Sequence, residues 1–228
     1  MYRAAIGDYV RNRLLRTPNA FRMPAREADM FVVRDFLPPD DCARLIELID
    51  RDRFPSGLLA DKPEPGFRTS ESCNLDRADP FVASIEDRIS KLMGIQPEHG
   101  ETVQGQRYAP GQQFKPHHDW FHVQESYWQT EQRQGGQRTW TVMVFLNEPE
   151  GGGHTNFPNV NVRITPRTGN LLAWNNMDAQ GEPNPYTLHE GTPVTAGVKY
   201  VITKWYRERP WYIVPEDIVI EGRRDAES

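Results

Sequence analysis

From Gly105 onward the chain breaks into short β-prone runs separated by Gly, Pro and Asn, and this cadence narrows the fold more than any other feature of the sequence. Runs of this length and composition, repeating with turn residues between them, are the pattern of a sandwich or barrel. The expected strands cover 103–108, 114–120, 139–147, 160–164, 170–174, 186–189 and 198–206, with a turn at 150–153. No internal repeat and no low-complexity tract interrupts them.

The preceding part of the chain reads as helices around one strand. Ile6, Tyr9, Val10 and Leu14 recur at helical intervals, so residues 2–15 predict an amphipathic helix that either packs on the domain or meets a partner. An apolar strand is expected over 30–36, and Pro38-Pro39-Asp40-Asp41 then signals a helix start. That helix runs to about Asp50 with Cys42, Leu45, Ile46 and Ile49 as its apolar stripe. A second helix opens at Asp79-Pro80 and ends before Gly94. Between them, 54–68 is rich in Pro, Gly and charge, which leaves a cover over a site and an unstructured excursion both open. The organisation predicted is an N-terminal helical extension at 1–29, one domain at 30–209 and a C-terminal extension at 210–228, with 221–228 a frayed end.

A formal charge of −5 over 228 residues gives no basic footprint, so neither nucleic acid nor an anionic membrane is an expected partner. Two cysteines, Cys42 and Cys73, are too few for a disulfide framework and fit a reducing compartment. The N-terminal stretch carries charges throughout, and no run is long enough to span a bilayer. A soluble, cytoplasmic protein is the expectation.

Within this frame one cluster carries chemistry. In YAPGQQFKPHHDW, residues 108–120, His117 and Asp119 are separated by one residue. On a strand, positions i and i+2 leave the same face, so the imidazole and the carboxylate reach one ion while His118 points away. Two ligands hold a reactive metal poorly, and His189 in PYTLHEGTPV is the best third candidate. Two histidines and a carboxylate on one side of an octahedral ion form the donor set of non-haem Fe(II) oxygenases. Such an enzyme needs a chelating co-substrate and a cation for its far end. In KYVITKWY, residues 199–206, strand alternation sends Lys199 and Lys204 to opposite faces, so only one can face the metal, and Lys199 fits that role.

These stretches together, with GGQR at 135–138 and GGGHTNFP at 151–158, resemble the catalytic domain of the prolyl 4-hydroxylases, members of the 2-oxoglutarate and Fe(II) dependent dioxygenases. The likeness covers roughly 30–209. It implies a mainly β (α+β) fold: a double-stranded β-helix, the jelly roll of cupin-like proteins, braced by the N-terminal helices. It further implies that His117, Asp119 and His189 bind iron and that Lys199 pairs with the distal carboxylate of 2-oxoglutarate, with Tyr108 and Thr155 supplying hydroxyls nearby. Arg138 resembles an arginine that contacts peptide substrate in some relatives, and Trp205 follows the family's lysine-tryptophan strand end. Where those relatives carry a histidine two residues past that tryptophan, this chain has Arg207. Tyr127 and Trp128 lie in a segment that varies in such families.

The activity implied is hydroxylation of an unactivated C–H bond, most readily of a prolyl residue in a peptide or protein. It consumes O2 and 2-oxoglutarate, with ascorbate as reductant, and releases succinate and CO2. A free amino acid or other small molecule is the alternative substrate. Three rivals stand beside it. Oxygenases that repair alkylated nucleic acid share the triad but grip 2-oxoglutarate with arginine. A non-catalytic jelly-roll binding protein needs no complete ligand set, and a zinc hydrolase leaves Lys199 unexplained.

Overall fold

The computed structural model describes residues 2–58 and 64–211. Helix α1 (Tyr2–Leu14) is followed by strands β1 (Ala20–Arg22) and β2 (Met30–Val33), helix α2 (Pro39–Arg51), strands β3 (Phe54–Pro55) and β4 (Glu71–Asn74), and helix α3 (Pro80–Met93). Then come β5 (Gln104–Tyr108), β6 (Phe114–His117), the short helix α4 (Trp128–Arg133), β7 (Arg138–Phe145), β8 (Gly151–Gly152), β9 (Thr155–Phe157) and β10 (Val162–Ile164). The described elements finish with β11 (Leu171–Asn175), β12 (His189–Gly191), β13 (Val194–Ala196) and β14 (Lys199–Arg207).

The strands form an eight-stranded sheet in the order β1-β2-β11-β7-β14-β5-β4-β3, a four-stranded sheet β10-β9-β12-β6, and the small pair β13-β8. All their pairings are antiparallel. Period-two alternation sorts the large sheet's side chains between two cores. Trp140, Val142, Val144, Ile202 and Tyr206 pack with Leu45, Ile49, Val82, Ile85 and Ile89 of α2 and α3. Met143, Phe145, Leu172, Trp174 and Val201 face the small sheet and meet Phe157, Val162 and Ile164. This is the expected jelly roll, with helices covering one outer face.

The helix signals act as read. Pro39, Asp40 and Asp41 open α2, while Asp79 caps α3 by accepting from Phe81 N–H at 2.8 Å, and Gly94 closes it in the left-handed region at φ 69°. Val10 and Leu14 of α1 are fully buried in the helix-side core, so α1 packs on the domain. Helix α2 lies so close to β5 that a Cβ on Gly105 would stand 2.4 Å from Ile49 Cγ1, which reserves that position for glycine. No helix among the described residues is long and apolar enough to cross a membrane.

Several boundaries differ from expectation. The strand predicted over 114–120 ends at His117, whose partner is His189, the first residue of β12; beyond that pair no strand neighbours it among the described residues, and Asp119 sits in a bend. The strand predicted over 186–189 is a 3-10 turn at Pro185–Thr187, capped by the Asn184 side chain, with β12 beginning only at His189. The turn predicted at 150–153 contains β8, which pairs with β13. Strands β1, β3, β4, β9 and β13 went unpredicted; each has four residues or fewer and takes its register from a distant partner. Residues 59–63 of the proline- and glycine-rich segment and the expected frayed end at 221–228 lie outside the described residues.

Candidate functional site

His117 at the end of β6 and His189 at the start of β12 stand opposite each other in register, their ring centroids 4.2 Å apart. Each ring is anchored the same way. The Nδ1 of His117 lies 2.9 Å from the carbonyl of Lys115, and that of His189 lies 2.9 Å from the carbonyl of Thr187. A carbonyl only accepts, so both Nδ1 atoms carry the proton and both Nε2 atoms keep a lone pair. Flat neighbours lock the planes: Phe114 stacks on His117 at 3.6 Å, while Phe157 and Trp174 enclose His189. Burial, then the neighbouring His189, pulls His117 down to about 3, so it stays neutral at physiological pH.

The third member enters from the bend after β6. Asp119 Oδ1 lies 3.8 Å from His117 Nε2, and Oδ2 lies 3.8 Å from His189 Nε2. One donor atom from each of the three residues falls within 4.8 Å of the others. Burial pushes the Asp119 carboxyl up, but the two imidazoles, Arg138 and a hydrogen bond from Thr141 outweigh it and hold the group below its ordinary value. Two imidazole lone pairs with one ionised carboxylate make a mixed N,O donor set that suits a first-row divalent ion such as Fe(II).

The cavity beside these ligands is lined by, among others, Tyr108, Met143, Thr155, Trp174, Lys199 and Trp205. Lys199, at the start of β14, is 2 % exposed. Its Nζ lies 5.3 Å from the Tyr108 ring centroid and 5.8 Å from that of Phe145, and no carboxylate pairs with it among the described residues. Burial lowers it to about 7. An ammonium placed there without an anion is unfavourable, and a dicarboxylate chelating the metal would place its second carboxylate where the charge is missing. The donor set and this uncompensated cation therefore fit Fe(II) and 2-oxoglutarate together.

Tyr108 and Thr155 are both buried on the cavity wall; Tyr108 donates to Gln106 Oε1 at 3.0 Å, and the Thr155 hydroxyl lies 3.6 Å from Met143 Sδ. Lys204 turns to the opposite face, where its Nζ meets Glu86 Oε1 at 2.9 Å, as strand alternation requires. Trp205 lines the cavity. Arg138 does not: its Nε and Nη2 make a bidentate pair with Glu101 at 2.6 and 2.7 Å, and its guanidinium lies 4.2 Å over the Trp205 ring. Arg207, 2 % exposed, bonds the same Glu101 at 2.6 Å and also pairs with Glu131. His118, reaching the carbonyl of Pro185 at 3.4 Å, packs tilted against Trp120 and does not line the cavity, and Tyr127 packs edge-on against Phe121.

Four residues near the site gave no sequence signal. Gln106 links Tyr108 to Thr203, and Thr141 donates to Asp119 while accepting from Asn176. Arg68, at the end of the proline- and glycine-rich segment, lies over the Phe114 ring at 4.9 Å and bonds Gln104 and Ser72. Phe67 beside it packs edge-on against Phe114, so this segment reaches the ring that backs His117.

Residues 103–207 match the 2OG-Fe(II) oxygenase superfamily. Prolyl 4-hydroxylase 1 of Arabidopsis thaliana is 30 % identical over 201 residues, covering 79 % of this chain and 69 % of its own. A protein of Acanthamoeba polyphaga mimivirus that carries the prolyl 4-hydroxylase name is 31 % identical over 180 residues, covering 78 % and 74 %. Among solved structures, the viral collagen prolyl hydroxylase of Paramecium Bursaria Chlorella virus-1, in complex with 2OG, superposes with a TM-score of 0.61 at 27 % identity, covering 78 % of this chain and 95 % of that one. A prolyl hydroxylase of Trichoplax adhaerens, solved with a peptide of the hypoxia inducible factor oxygen degradation domain, shares the fold at TM-score 0.62 and 16 % identity, with 90 % of each chain covered.

Proposed function

The chain belongs to the prolyl 4-hydroxylase family of 2-oxoglutarate and Fe(II) dependent oxygenases, and from that premise we propose that it hydroxylates a prolyl residue of a peptide or protein. The balance is substrate C–H plus O2 plus 2-oxoglutarate giving C–OH, succinate and CO2. One observation carries the reading: the His117–Asp119–His189 cluster shares a cavity with Lys199, a buried lysine that lacks an anionic partner among the described residues.

In this reading His117, Asp119 and His189 hold Fe(II), and the backbone carbonyls of Lys115 and Thr187 keep both Nε2 lone pairs aimed inward. Fe(II) with 2-oxoglutarate bound supplies the O2-derived oxidising power that an unactivated C–H bond requires. Lys199 takes the distal carboxylate in a charge-assisted hydrogen bond, and the hydroxyls of Tyr108 and Thr155 complete that end. Met143 and Trp174 form an apolar part of the cavity wall that keeps water from the reacting region. Trp205 on the cavity wall and Arg138, held over its indole by Glu101, are the substrate contacts in this reading. The likeness to prolyl hydroxylases of Arabidopsis, mimivirus and chlorella virus supports a prolyl substrate.

Succinate production from 2-oxoglutarate, with Fe(II) and ascorbate supplied, tests the assignment. His189→Ala is expected to abolish it while leaving the fold intact, and Lys199→Ala to raise the KM for 2-oxoglutarate. Unchanged turnover in His189→Ala would remove the metal assignment.

A further inference from the structure

Of the three ligands, His117 and His189 are anchored to backbone carbonyls of their own segments, whereas Asp119 lies in a bend with no strand partner. Its anchor is a side chain from the middle of the large sheet: Thr141 Oγ1 stands 2.7 Å from Asp119 Oδ2. Thr141 in turn lies 2.9 Å from Asn176 Nδ2, which follows β11, the strand that pairs with β7 at Trp174↔Thr141. Thr141 and Asn176 are each fully buried. An ionised carboxylate only accepts, so the single hydroxyl proton must go to Asp119, and Asn176 must offer its amide N–H to the hydroxyl oxygen. Asp119 Oδ1 accepts no hydrogen bond among the described residues.

We propose that Thr141 is a positioning residue for the iron site: its hydroxyl holds Oδ2 of Asp119 and leaves Oδ1 as the oxygen that ligates the metal, with Asn176 fixing the direction of the hydroxyl proton. This rests on the reading of His117, Asp119 and His189 as metal ligands. An unanchored carboxylate at the end of a bend samples rotamers that miss the ion, so the hydroxyl acts on metal affinity before it acts on turnover. Partners of this kind behind a metal ligand are worth roughly tenfold to a hundredfold in affinity.

The test is direct titration with Mn(II), followed by the loss of the free-ion EPR signal, on the full chain and on Thr141→Val, Thr141→Ser and Thr141→Cys. Thermal denaturation identifies the variants that fold. Expected is an order Thr and Ser tightest, Cys weaker, Val weakest, with Val down roughly tenfold to a hundredfold. Valine matches threonine in shape, so a purely packing role predicts that Val binds like wild type and that Ser, which leaves a methyl-sized void, is the variant that suffers. Either result overturns the proposal, as does a folded Cys variant that binds like wild type when Val does not fold. Failure of the wild-type chain to bind Mn(II) would instead sink the ligand assignment on which the proposal stands.

Discussion

Lys199 and Lys204, five residues apart on β14, are both buried on opposite faces of the sheet, and only Lys204 has a carboxylate partner among the described residues. The same burial thus does two jobs. On the helix side the charge is neutralised within the fold, by Glu86; on the cavity side it is left for a ligand.

The unpartnered lysine gives a pH signature. Burial depresses Lys199 to about 7 in the free protein, and a bound dicarboxylate favours the ammonium and raises it again. Binding of 2-oxoglutarate therefore takes up a proton above that value. Affinity should be flat below pH 7 and fall by up to about tenfold per pH unit above it. Calorimetry in buffers of different ionisation enthalpy would show the proton uptake. Lys199→Arg, charged throughout, should flatten the profile even if it binds more weakly; a flat profile in the wild type contradicts the assignment.

The partnered lysine makes a stability prediction. Lys204 Nζ and Arg77 Nε share the two oxygens of Glu86 at 2.9 and 2.8 Å, with the Lys204 side chain 0 % and Glu86 4 % exposed. Removing one partner of such a pair costs about 3–5 kcal/mol, since it strands a buried charge. Glu86→Gln should lower the denaturation midpoint accordingly, and Glu86→Leu with Lys204→Met should recover most of the loss. Equal stability of Glu86→Gln and wild type in urea would show the pair to be hydrated rather than buried.

Acid sensitivity should trace to Glu101. Burial raises its carboxyl, but Arg138 and Arg207 outweigh burial and hold it below the ordinary glutamate value. A depressed carboxyl contributes stability above its unfolded pKa of about 4.3 and loses it as pH falls through the folded value. Glu101→Gln should thus be destabilised by about 3 kcal/mol at neutral pH, with the gap to wild type closing in acid. Because Glu101 also holds Arg138 over Trp205, the variant's KM for a peptide should rise more than its kcat falls. A gap that stays constant down to acid pH would exclude the ionised pair as its source.

How much of this was legible beforehand follows the range of the interactions. The facing of Lys199 against Lys204, the stripe on α2 and the start and stop of α3 depend on local pattern and could be read from the chain. Asp119 was found by the i, i+2 rule although the strand stops at His117; the residue still turns inward, but Thr141, 22 positions away, draws it there. Gln106, Thr141 and Asn176 are isolated polar residues in β-prone runs. Nothing local distinguishes them, and their roles exist only after β5, β7, β11 and β14 are side by side. The reading of Arg138 drew on resemblance alone and left out Glu101, a carboxylate 37 positions earlier that takes up two of its nitrogens.

The central claim is the prolyl substrate, and it is met most directly by incubating the full chain with Fe(II), ascorbate, 2-oxoglutarate and a proteome-derived peptide pool, then locating added oxygen by fragmentation mass spectrometry. The expected result is oxygen on proline, dependent on 2-oxoglutarate and absent with His189→Ala. Succinate formed while no peptide gains oxygen on proline would contradict it, keeping the iron site and moving the substrate to small molecules.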